Sequence, residues 1–225
     1  MIALLSPSKT LNFDETSFTE STNERFLEDS DKLINKLSKT SKPKLKKLMS
    51  ISDNLAKLNY DRYREYESKH TLNENSKQAI LAFQGDVYTG LEAESFDNDD
   101  LMYSQNHLRI LSGLYGLLRP FDLIQPYRLE MGTKLKIYRN DNLYEFWGDK
   151  LTKTLESDLE AIDSEYVVNL ASNEYYKALD MDAVDANVIE IDFREWRDGK
   201  LKFISFNAKK ARGIMARYMM KNRVE

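Results

Sequence analysis

Apolar positions along this chain come in short blocks separated by polar, proline- and glycine-bearing segments. Residues 2–5, Ile-Ala-Leu-Leu, form an unbroken apolar run stopped by Ser6-Pro7, which predicts a short buried strand followed by a loop. Residues 12–23 are polar without a period and read as a loop. Residues 24–39 place Phe26, Leu27, Leu33, Ile34 and Leu37 at approximate helical spacing. Residues 44–66 do the same with Leu45, Leu48, Met49, Leu55 and Leu58, and Ser52-Asp53 is a break point between two helices. Residues 78–83 are apolar and lead into a turn-bearing segment, 84–90. Helices are predicted over 98–107 and 142–161, and a strand over 166–170. Residues 187–196 and 201–206 alternate as strands around Asp198-Gly199, the signature of an antiparallel hairpin. The last helix spans 207–222, with Asn207 as N-cap candidate and Ala208, Ala211, Met215, Tyr218 and Met219 along one face.

This alternation predicts one α/β (mixed α+β) domain over residues 1–225: a mixed sheet, a late antiparallel hairpin, flanking helices and a helical lobe at 24–76. The 225 residues are enough to bury a core without covalent staples. The chain has no cysteine, which excludes disulfides, thiolate metal sites and cysteine nucleophiles and fits a reducing, cytoplasmic setting. The first apolar run is too short for a membrane span or signal segment. Of the two histidines, His70 follows Glu67 at Glu-x-x-His spacing, but the second such motif of a di-iron site is missing. His70 therefore reads as a surface residue and His107 as the polar end of a helix; no metal or cofactor is implied.

The formal charge of −4 does not announce a nucleic-acid binder, so any positive surface must be gathered locally. From Lys200 to Arg223 there are eight basic residues and no acidic one, whereas Glu92 to Asp100 is acidic. Lys42, Lys44, Lys46 and Lys47 sit at a helix N-terminus, where positive charge opposes the macrodipole; they either serve a partner or form a solvated loop. Residues 109–132 hold three of the eight glycines, two of the four prolines and Arg109, Arg119 and Arg128. Within them, Leu111 to Gly116 loosely matches the turn of helix–hairpin–helix modules, whose glycines expose N–H groups to phosphate. That reading nominates Gly113, Gly116 and Arg119, with Lys209, Lys210, Arg212 and Arg217 of the last helix, as contacts to double-stranded or branched DNA. Gly213, beside these cations, admits the close approach either of another backbone or of the chain's own sheet.

A second group lies at element ends: Lys9, Asp86, Tyr88, Tyr127, Arg128, Glu130 and Asn169. Gathered in space, they form a polar cleft for a phosphate-bearing or nucleotide-like small ligand; otherwise they pair with one another as structural ions. No catalytic motif is present, and in an enzyme Lys9, Asp86 and Glu130 would be the candidate cation, acid and base.

Taken in order, Leu5 to Leu11, Gly85 to Leu91, Leu111 to Gly116 with Leu118-Arg119-Pro120, Tyr127 to Gly132, Phe146 to Asp149, Asn169 to Ser172 and Ala208 to Gly213 resemble the YaaA family of bacterial peroxide-stress resistance proteins. The resemblance covers essentially the whole chain. Departures are Ser8, where alanine is expected in many members, and an end at Glu225, where members usually continue. The resemblance implies a cytosolic protein on an unusual α/β fold that limits iron-driven oxidative DNA damage. It further implies binding of double-stranded DNA through a positively charged cleft and a helix–hairpin–helix element.

Overall fold

The computed structural model describes residues 1–224. Its centre is a five-stranded sheet of β1 (Ile2–Leu5), β2 (Leu108–Ser112), β3 (Gly116–Leu118), β4 (Tyr166–Asn169) and β5 (Asn187–Glu190). The order is β3-β2-β1-β4-β5; β3 runs antiparallel to β2 and the other pairs are parallel. β1 is the middle strand, and its four residues are wholly buried, as a parallel strand covered on both faces requires. The mixed sheet expected from the alternating pattern is thus present, with one revision. Residues 187–190 join the main sheet beside β4, and the predicted hairpin is confined to β6 (Glu195–Arg197) and β7 (Lys200–Lys202).

Helices α1 (Leu27–Ser38), α2 (Lys42–Met49), α3 (Asp53–Glu65), α4 (Asp86–Leu91) and α5 (Asn98–His107) lie between β1 and β2. The break expected at Ser52 is real: Ser50 adopts left-handed geometry, and the Ser52 side chain accepts from the Leu55 N–H. Leu55 and Leu58, read as core positions, are instead exposed. The helix expected over 142–161 is split into α6 (Leu143–Trp147) and α7 (Lys150–Ala161), because Gly148 takes a φ of 52° and turns the chain. The last helix, α8 (Ser205–Lys221), starts before Asn207, which lies inside its first turn and bonds Glu195.

Gly213 and Gly90 set how α8 sits on α4. A Cβ on Gly213 would lie 1.8 Å from the Val87 carbonyl oxygen, and one on Gly90 would lie 2.2 Å from that of Lys210. The backbone that Gly213 admits is therefore that of α4. The same docking places the basic face of α8 on the acidic run. Arg217 bonds the Glu92 carbonyl at 3.1 Å, while Lys221 and Arg223 both pair with the buried Asp100 carboxylate at 2.6 and 2.7 Å. The C-terminal end of the basic segment is thus neutralised by the acidic run.

Candidate functional site

From β1 the chain winds to β2 and β3 on one side, then returns to place β4 and β5 on the other. The direction of winding reverses between β1 and β4, and the crevice outside the carboxyl ends of two such strands is where open α/β sheets take ligands. A cleft of about 750 Å³ lies there. One wall is Ser6 to Thr10, leaving β1; another is the 170–175 segment, leaving β4. The start of α4 supplies Asp86, the 128–132 segment supplies Glu130, and α8 supplies Lys209 and Arg212.

The walls are held by short, directional bonds. Ser172 N–H donates to Ser6 Oγ at 2.8 Å, tying the two strand ends together. The buried Tyr88 hydroxyl donates to the Ser6 carbonyl at 3.1 Å. Gly85 has a φ of +104°, and a Cβ there would meet Ser8 Oγ at 2.9 Å, so the 85–86 turn lies directly on the 6–10 loop. Lys9 Nζ reaches Glu130 Oε2 at 2.5 Å, and Arg128 holds the other Glu130 oxygen at 3.0 Å. Glu174 accepts from the Gly132 N–H at 2.9 Å.

Arg212 differs from these groups. Its guanidinium is half-buried, burial alone pulls its pKa down, and no hydrogen bond or ion pair ties it to another described residue. A half-buried cation with no counter-charge is a place for an external anion.

Of the polar residues expected to gather, Lys9, Asp86 and Glu130 line the cleft, whereas Tyr88, Tyr127, Arg128 and Asn169 do not. Tyr127 is spent on Ser112, its hydroxyl 2.7 Å from Ser112 Oγ, and burial pushes its pKa well up. Asn169 Oδ1 accepts from the Ala171 N–H at 3.0 Å, fixing the turn out of β4. The sequence reading missed Ser172, Asn173, Glu174 and Tyr175; their signal was a polar run directly after a strand.

The expected DNA contacts divide. Gly113 and Gly116 are buried in the turn between β2 and β3, which is a β-hairpin and not a link between helices. A Cβ on Gly113 would strike the Leu129 carbonyl at 2.3 Å, and one on Gly116 the side chains of Leu151, Phe26 and Trp147. These glycines serve internal packing. Arg119 wraps Asp122, with contacts of 2.8 and 3.0 Å, and Arg217 is spent on the 91–95 segment. Lys209 and Arg212 face the cleft, and Lys210 is exposed.

A basic surface does exist elsewhere. A groove of about 870 Å³ runs between α1, α2 and the 132–136 segment. Lys36, Lys39, Lys44, Lys47, Lys134 and Lys136 line it, together with Ser50 of the α2–α3 turn, and no carboxylate does. Among the described residues, Lys136 alone of these six lysines is ion-paired, to Asp141 at 2.7 Å. Residues 131–137 alternate buried and exposed, which turns Lys134 and Lys136 outward. The groove and the cleft meet where Gly132, which lines the groove, bonds Glu174, which lines the cleft.

His70 is not a surface residue: its side chain is 1% exposed and lies 3.2 Å from the equally buried Glu24 carboxylate. His107 does end α5, with its Nδ1 2.9 Å from the Met1 carbonyl oxygen. Among the described residues, no group of three or more His, Asp or Glu side chains is placed to hold a metal ion. No helix among them is long and apolar enough to cross a membrane.

The family model for the peroxide stress protein YaaA matches residues 1–225. A UPF0246 protein from Saccharophagus degradans is 50% identical over 225 residues, which is all of this chain and 88% of that protein. With the family model over the whole chain and half of the residues shared with that relative, the chain belongs to the YaaA family of peroxide stress proteins.

Proposed function

We propose that, in the peroxide stress response, this protein binds double-stranded or branched DNA along the lysine groove. The observation that carries this reading is the groove itself: six lysines on three segments with no lining carboxylate. Five of them have no ion pair among the described residues, so their charge is available to phosphates. The α2–turn–α3 pair takes the place that sequence reading gave to Leu111 to Gly116. Its turn residue Ser50 sits on the groove.

Protection follows from counterion release. Lysines that neutralise phosphates expel cations condensed on the duplex. Ferrous iron is one such cation, and peroxide generates hydroxyl radical wherever that iron sits. Displacing it limits iron-driven oxidation of the covered DNA.

Fluorescence anisotropy with a duplex and a four-way junction, for wild type and Lys44→Glu/Lys47→Glu, tests the binding. Strand nicking by ferrous iron and peroxide tests the consequence. Binding that survives the double substitution, or equal nicking with both proteins, contradicts the reading.

A further inference from the structure

The cleft between β1 and β4 has features that a DNA-backbone groove does not need. Its lining carries the cations Lys9, Lys209 and Arg212 together with the carboxylates Asp86, Glu130 and Glu174. Phe203, 56% exposed, stands at it as a free aromatic face. Its volume of about 750 Å³ falls in the range of small-molecule sites, roughly 300–1,000 Å³. It is too small for a duplex, and it occupies the position where the sheet topology places ligands.

The presence of both signs of charge describes the ligand. The uncommitted Arg212 guanidinium calls for a dianion such as a phosphomonoester, which it can hold bidentately. Carboxylates accept hydrogen bonds from sugar hydroxyls, as the acidic residue of dinucleotide-binding folds does. An exposed phenylalanine offers a base a stacking surface. Glu130 is already oriented by Lys9 at 2.5 Å and Arg128 at 3.0 Å, so one carboxylate is fixed before any ligand arrives.

We propose that this cleft is a binding site for a nucleoside monophosphate unit, with the phosphate on Arg212 and Lys209 and the ribose hydroxyls on Glu130 and Asp86. That chemistry is a free ribonucleotide's: a nucleotide within a DNA strand carries a phosphodiester monoanion and no free ribose hydroxyl, so it lacks both groups that the site would hold.

Isothermal titration of the full chain with AMP, ribose 5-phosphate, adenosine and inorganic phosphate tests the site. AMP and ribose 5-phosphate are expected to bind, with adenosine weaker than AMP by about tenfold or more. Arg212→Gln removes most of that preference for AMP over adenosine. Glu130→Gln weakens ribose 5-phosphate and leaves inorganic phosphate unchanged. Lys44→Glu/Lys47→Glu retains AMP affinity, which separates failure of this proposal from failure of the DNA reading. Thermal melts check that each variant is folded, and Lys209→Gln repeats the test if Arg212→Gln is not. A duplex with one unpaired nucleotide is expected to leave bound AMP in place, and its release of AMP would overturn the assignment of the site to a free ribonucleotide. The proposal is overturned if no phosphorylated probe binds, if adenosine binds as well as AMP, or if a folded Arg212→Gln keeps the wild-type preference.

Discussion

Gly213→Ala is expected to destabilise the protein, against the sign that helix propensity alone gives. In an exposed helix interior, replacing glycine by alanine stabilises by about 1 kcal/mol. At Gly213 the new Cβ would stand 1.8 Å from the Val87 carbonyl oxygen and 2.8 Å from the Leu91 nitrogen. Ordinary contact begins at 3.4 Å, so α8 and α4 must separate by roughly the difference. Both partner atoms are backbone, so neither can swing aside. Overpacking a tight contact costs about 1–3 kcal/mol, and occasionally more. Here it also strains the contacts of Arg217, Lys221 and Arg223 with the acidic segment, which depend on the same docking. A net loss of about 2 kcal/mol corresponds to a melting temperature lower by about 4–8 °C in a domain of this size. Thermal and urea denaturation of Gly213→Ala and Gly90→Ala measure it. Gly199→Ala separates the two costs of losing a glycine: its φ of +71° strains an added side chain but nothing lies within 4 Å of it, whereas Gly213 and Gly90 have no positive φ and incur the clash alone. The docking argument fails if Gly213→Ala is as stable as wild type or more so.

Asp158→Asn leaves the buried Arg109 guanidinium without its 2.6 Å partner and is expected to cost about 3–5 kcal/mol in urea titrations at pH 7. Burial pushes the Asp158 carboxyl up, but Arg109 and Arg25 outweigh it and hold it below the usual range. The pair therefore stabilises fully above about pH 4 and is lost as pH falls through the lowered folded value, so the gap between wild type and variant narrows in acid. Burial also lowers the Arg109 pKa, yet arginine stays charged throughout this window, so the carboxyl governs the pH response. His70→Ala strands the buried Glu24 carboxylate and is expected to cost about 3 kcal/mol, part of which Glu24→Leu/His70→Leu recovers on the same urea scale. Arg217→Gln is expected to lower the melting temperature while leaving DNA affinity within about twofold in anisotropy titrations, because its charge already faces the chain's own acidic segment.

The sequence made the fold legible where one local signal was enough. The buried β1 followed from four apolar residues ended by Ser6-Pro7, and the α2–α3 break from Ser52-Asp53. It failed where meaning depends on a distant partner. Gly213 was legible as a point of close approach, but its partner was not: Gly90 and the α4 backbone that meets it lie in another part of the chain and carry no local mark. Three of the eight basic residues from Lys200 onward, Arg217, Lys221 and Arg223, looked free because their partners, Glu92 and Asp100, lie in a distant part of the chain. His70 looked exposed because its partner Glu24 belongs to another segment. Lys9, Asp86 and Glu130 were found as residues at element ends, and the strand order supplies what the sequence lacked: the reversal that brings those ends together. The lysine groove was half visible. Lys44 and Lys47 stood out for opposing a helix dipole, but Lys36, Lys39, Lys134 and Lys136 join them only in the folded chain.

The salt dependence of DNA binding tests the groove most directly. Five uncommitted lysines imply a slope of log K against log salt of about −4.5, and so a loss of about 500-fold between 50 and 200 mM salt. Lys44→Gln/Lys47→Gln should reduce that slope by about 1.8, while Lys209→Gln/Lys210→Gln should leave it nearly unchanged. A wild-type slope near zero, or a slope lowered by the α8 pair and not by the α2 pair, would contradict the account.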